Sequence, residues 1–90
     1  MISAELKGHL AQTMLSNALD LKDLLVKHPE VSQENYFHDL NSVHNICHDH
    51  CRVIQELGCE NVPTISTIYD QIDAIATKAG ELMQQEGING

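Results

Sequence analysis

Ile65, Ile68, Ile72, Ile75, Ala79 and Leu82 return at steps of three and four, a spacing that puts every one of them on one face of a helix. No strand pattern competes, because nothing in the chain alternates with period two for long. Pro63 stands at the head of this stretch, where a proline suits a first helical turn, and the spacing predicts a helix over about 63–86. Two further breakers, Pro29 and Gly58, mark off two more stretches of similar length. In the first, Ser3 is a candidate N-cap, and Leu6, Leu10, Met14, Leu21, Leu24 and Leu25 recur at helical spacing, predicting a helix over 3–28 with Lys27 favouring its C-terminal dipole. In the second, Ser32 is the candidate cap, Tyr36, Leu40, Val43, Cys47, Ile54 and Leu57 form the seam, and Gly58 suits a left-handed C-terminal cap, predicting 32–58. His50 stands in that seam where a hydrophobe would be expected. Short connections force antiparallel neighbours, so the expected fold is all-α: one domain over 1–90, three long helices running up, down and up.

Ninety residues make a marginal core, since a chain this small leaves roughly 40% of its unfolded surface exposed after folding. Association is the expected support, as a homodimer or higher homo-oligomer, and the seam Ile65, Ile68, Ile72, Ile75 and Leu82 is the expected contact between copies or with a partner. Aromatic residues are only 3% of the chain, so the core must be built from aliphatic and small side chains. Five cations against thirteen carboxylates, a formal charge of -8, leave no basic patch to neutralise phosphates, which excludes direct nucleic-acid binding and attraction to anionic membranes. The same acidity leaves basic protein surfaces as partners. No apolar run approaches the ~18 residues of a membrane span. The start of the chain lacks the basic and apolar regions of a signal peptide, so a cytoplasmic address is expected.

His44, Cys47, His48, His50 and Cys51 crowd into eight residues of the second predicted helix. At about 100° per residue, His44, Cys47, His48 and Cys51 fall within one arc of about 100°. Seven residues of helix nevertheless rise about 10 Å, too far for one ion with bonds near 2 to 2.3 Å to reach all four. One turn supplies two ligands, and a tetrahedral zinc site would need two more from His9, His38, Cys59 or a second copy. The competing interpretation is packing: Cys47 and Cys51 act as small core hydrophobes, His44 and His50 flank the core, and His48 lies toward solvent. No Cys-x-x-Cys pair and no second ligand pair accompany them. An odd number of cysteines in a reducing compartment disfavours disulfides, and Cys59, just past the helix end, is expected to be the exposed, reactive thiol.

No glycine-rich phosphate loop, paired carboxylates or oxyanion motif is present, so no enzyme and no cofactor is expected. The chain reads as a small acidic interaction protein that binds or inhibits a protein partner, in the manner of a regulator, a chaperone or a phage-type inhibitor. The alternative is a metal-binding or metal-sensing bundle holding zinc on His44, Cys47, His48 and Cys51. A bundle that sequesters a small molecule between subunits is the third reading, without a motif of its own.

Overall fold

The computed structural model describes residues 3–59 and 62–88, the last three by their backbone alone. Three helices pack against one another, with no strand among the described residues: α1 is Ala4–Leu21, α2 is Gln33–Glu56 and α3 is Pro63–Ile88. Both serine caps form. The Ser3 hydroxyl accepts from the Leu6 amide and the Ser32 hydroxyl from the Asn35 amide, each at 3.1 Å, satisfying donors that a helix start leaves unpaired.

The end of α1 departs from expectation. The α-helix stops at Leu21, a 3₁₀ turn covers Lys22–Leu25, and Val26 is already extended. Pro29 excludes His28 from helical geometry, and the tighter turn brings Leu24 and Leu25 against the core. The Tyr36 hydroxyl on α2 then donates to the Leu25 carbonyl at 2.7 Å, satisfying an acceptor that the ended helix would otherwise leave orphaned. Lys27 lies beyond the helix and donates to the Val31 carbonyl at 2.7 Å, so it clips the loop and does not serve the dipole of α1.

At the other end of α2, Gly58 has φ of 70°. Its amide donates to Gln55 at 2.9 Å and the Cys59 amide to Ile54 at 3.4 Å, the paired bonds of a Schellman cap. In that cap the residue after the glycine folds back on the last turn of the helix. Cys59 is accordingly only 2% exposed, and its thiol faces the Ile54 carbonyl at 3.6 Å. The expectation of an exposed, reactive Cys59 is thereby overturned.

The order of contacts fixes the topology. Asn17 meets His50 and Leu25 meets Tyr36, so α1 and α2 run antiparallel; His44 meets Ala76 and Cys51 meets Tyr69, so α2 and α3 do too. Most of the core lies between α2 and α3, with Leu40, Val43, Cys47, Ile54, Ile72 and Ala79 fully buried. The contribution of α1 differs from its leucine pattern. Its buried residues are Ala11 and Ala18, with Met14, Leu15 and Leu21 partly covered, whereas Leu6, Leu10 and Leu19 are exposed. Alanines seven apart let the backbone of α1 approach closely, and that close face turns the larger leucines toward the rim.

Candidate functional site

Structure divides the histidine and cysteine segment between two environments. Cys47 and Cys51 point into the core, where burial pushes the Cys47 thiol up and holds Cys51 up at about 11, with Asp73 and Cys47 adding to the second shift. Burial thus disfavours the thiolate of both side chains, the form that binds metal or attacks an electrophile. His44 sits half-buried at the edge of the α2/α3 interface. Its Nδ1 lies 2.9 Å from the Ala76 carbonyl; a carbonyl can only accept, so Nδ1 carries the proton and Nε2 of the neutral ring holds the free lone pair. Gly80 lies beside this ring, where a Cβ would stand in ordinary van der Waals contact, 3.4 Å from Nδ1. His48 is exposed one turn on, its ring centroid 6.1 Å from that of His44 and tilted by 31°.

His50 faces the opposite helix. Its Nε2 donates to the Asn17 side-chain oxygen at 2.9 Å, linking α2 to α1 where the sequence pattern calls for a hydrophobe, and partial burial lowers its pKa against a smaller opposing pull from Asp49. The other candidate ligands lie apart. His9 is exposed on α1, His38 is exposed 4.0 Å from Glu34, and Cys59 is enclosed in the Schellman cap. Among the described residues no group of three or more histidine, cysteine or acidic side chains is placed to hold a metal ion.

The expected contact seam of α3 lies largely inside the single chain. Ile65, Ile68, Ile72 and Ile75 are at most 6% exposed within the single chain, and Leu82 is half-buried. Three-four spacing on α3 serves its contacts with α2 and α1, and those side chains are not open to a second copy. The apolar surface lies elsewhere. On α2, Ile46 and Val53 are 36% and 41% exposed one heptad apart, and Asp39, Asp49 and Glu56 share their stripe at helical intervals. Across the interhelical boundary, Leu6 and Leu10 are exposed along the same edge of α1 that carries Asn17. Sequence reading missed this face because its residues form no run and no single periodic seam; the signal available was the heptad from Ile46 to Val53.

No helix of the described chain is long and apolar enough to cross a membrane. No family model, curated protein or solved structure matches this chain.

Proposed function

We propose that this chain is a non-enzymatic, acidic helical interaction protein that binds or inhibits a protein partner through the α1/α2 face. The carrying observation is the juxtaposition of exposed Ile46 and Val53 with Asp39, Asp49 and Glu56 on one stripe of α2; exposed Leu6 and Leu10 extend the apolar surface along the α1 edge that carries Asn17, toward the C-terminal end of α2. Apolar side chains rimmed by carboxylates suit a partner that presents apolar anchors among lysines and arginines. A second copy would bring the same carboxylates to the contact, because a two-fold interface sets a patch against itself, so a basic partner of different sequence is the better occupant. Asp49 already holds Arg52 at only 3.8 Å in an exposed pair, an interaction weak enough to exchange for an incoming cation.

The test is quantitative capture from native lysate with wild type and with Ile46→Ser/Val53→Ser. Both positions are more than a third exposed, so the variant should stay folded, which its melting curve checks. A protein retained by wild type, lost with the variant and released by raised salt is expected; identical capture profiles for the two would defeat the proposal.

A second reading, of metal binding, narrows to His44 and His48. The Nδ1 bond to Ala76 supports it, because a histidine ligand is commonly held through its other nitrogen in this way. Zinc would take Nε2 of His44 and a ring nitrogen of His48, with remaining ligands from water or a partner. Zinc-induced stabilisation abolished by His48→Ala and kept in Cys47→Ala supports this pair; loss in both variants, or no stabilisation of wild type, counts against it.

A further inference from the structure

Two of the five cations border a single groove. The side formed by α1 and its 3₁₀ turn gives Leu19, Lys22 and Leu25, the side formed by α3 gives Gln71, Ala74, Ile75 and Lys78, and the space between is about 490 Å³. No carboxylate lines it, and among the described residues neither lysine takes part in an ion pair, although carboxylates outnumber cations thirteen to five in the chain. The floor is aliphatic, and the lysine stems extend the apolar walls on opposite sides, both residues being exposed. Leu19, 48% exposed, leaves apolar surface open there.

We propose that this groove binds a single-chain alkyl carboxylate of medium length. The alkyl chain would replace water over Leu19, Leu25, Ala74 and Ile75, and the two carboxylate oxygens would each accept from one ammonium group. Size points to one chain: the groove is two helical turns long, about 10 Å, and its volume lies toward the lower end of ligand sites, which run to roughly 300 to 1,000 Å³. Charge points to an anion despite the long-range field. The net charge of -8 favours cationic amphiphiles everywhere else on the surface, so a preference for the carboxylate can arise only from Lys22 and Lys78. This site lies on α1 and α3, away from the α1/α2 face, and its occupancy is independent of the partner proposed above.

The experiment titrates the full chain with decanoate, below its micelle concentration and at physiological salt, following backbone amide shifts. Decyltrimethylammonium is the matched cation. Expected are saturable shifts at Leu19, Lys22, Ala74 and Lys78 with decanoate and none there with the cation. Lys22→Gln/Lys78→Gln should weaken decanoate about tenfold or more, while Lys7→Gln leaves it unchanged. Ala74→Trp fills the groove and should abolish binding, with its melting curve showing that the fold persists. No saturable shift, equal binding of the cation, or decanoate binding untouched by Lys22→Gln/Lys78→Gln overturns the proposal.

Discussion

Gly80→Ala should stabilise this protein, although the glycine lies against the most constrained histidine of the fold. Gly80 sits inside α3, and a Cβ built there meets only His44, at 3.4 Å from Nδ1 and 3.5 Å from Cε1. Both are van der Waals separations, and each such contact contributes about 0.1 to 0.2 kcal/mol of attraction. Replacing a helix-interior glycine by alanine contributes about 0.8 to 1.0 kcal/mol more. The net gain is about 1 kcal/mol, which in a domain of this size raises the melting temperature by roughly 4 to 8 °C. Gly80→Val should do the reverse, since its two methyls extend toward the ring, and overpacking a close contact costs about 1 to 3 kcal/mol. Thermal and urea unfolding followed by circular dichroism measure both. A double-mutant cycle with His44→Ala adds the structural check: the loss on removing His44 should be larger in the G80A background by no more than about 0.4 kcal/mol, the two added contacts, because the Nδ1 bond to Ala76 at 2.9 Å is undisturbed. A G80A protein that melts at or below wild type would refute the reasoning. Gly58→Ala provides the opposite sign in the same assay. Nothing stands within 4 Å of a Cβ there, but φ is +70°, so the penalty is purely that of left-handed backbone, about 1 to 2 kcal/mol.

Four further outcomes follow from burial. All three cysteines are enclosed, so a thiol reagent at pH 8 should modify the native protein only through opening, at least about a hundredfold slower than in denaturant; fast labelling of Cys59 would contradict the Schellman cap. Burial raises Cys51 from 9.0 to about 11, so the unfolded chain gives up this proton first and stability should fall as pH rises from about 9 to about 11, a slope that Cys51→Ala reduces. His50 has the opposite sign: its folded pKa is lowered from 6.5, so stability should fall as pH drops below the unfolded value, and His50→Gln should flatten the acid limb of a denaturation series. Ile72→Ala, at a fully buried position, should lose about 2 to 5 kcal/mol, whereas Ile46→Ala on the open face should stay within about 0.5 kcal/mol; equal effects would return the α3 seam to the surface.

Punctuation made most of the fold legible. Ser3, Ser32, Pro63 and Gly58 stand where the helices start or stop, because caps act through local backbone groups that the sequence names directly. Gly58 carried more than its own position: a left-handed cap implies that Cys59 folds inward, and reading the thiol by its place after a helix missed that. The leucine spacing of α1 misled in two ways. It continues through Leu24 and Leu25, where the chain has already tightened into a 3₁₀ turn, and it favours large side chains where close packing selected Ala11 and Ala18. The isoleucines of α3 were recognisable as a buried seam, but periodicity reports that a face is covered and not whether the cover is the same chain or another. The four ring and thiol groups from His44 to Cys51 share an arc on a helical wheel, yet the edge of the α2/α3 interface cuts through that arc and separates thiols from imidazoles. The groove between Lys22 and Lys78 had no local signal, because its walls meet only when α1 and α3 do.

Small residues at the centre of the bundle account for the apolar surface at its rim. With alanines taking the closest approach, Leu6 and Leu10 of α1 and Ile46 and Val53 of α2 remain 46%, 36%, 36% and 41% exposed, which at about 1.5 to 3 kcal/mol for a fully buried side chain leaves together about 2.5 to 5 kcal/mol of transfer energy unused. Total stability for a domain of this length is only about 5 to 13 kcal/mol, so this reserve is large on the scale of the fold. A partner that covers the face recovers part of it and, by binding only the folded state, raises the melting temperature with concentration. The carboxylates along the same stripe make that rise salt-sensitive. Stabilisation by the captured partner should therefore shrink between low and physiological salt in wild type, and shrink less with Asp49→Asn/Glu56→Gln. A salt response unchanged by those substitutions would separate the apolar contact from its acidic rim, leaving the hydrophobic side chains as the whole of the interaction.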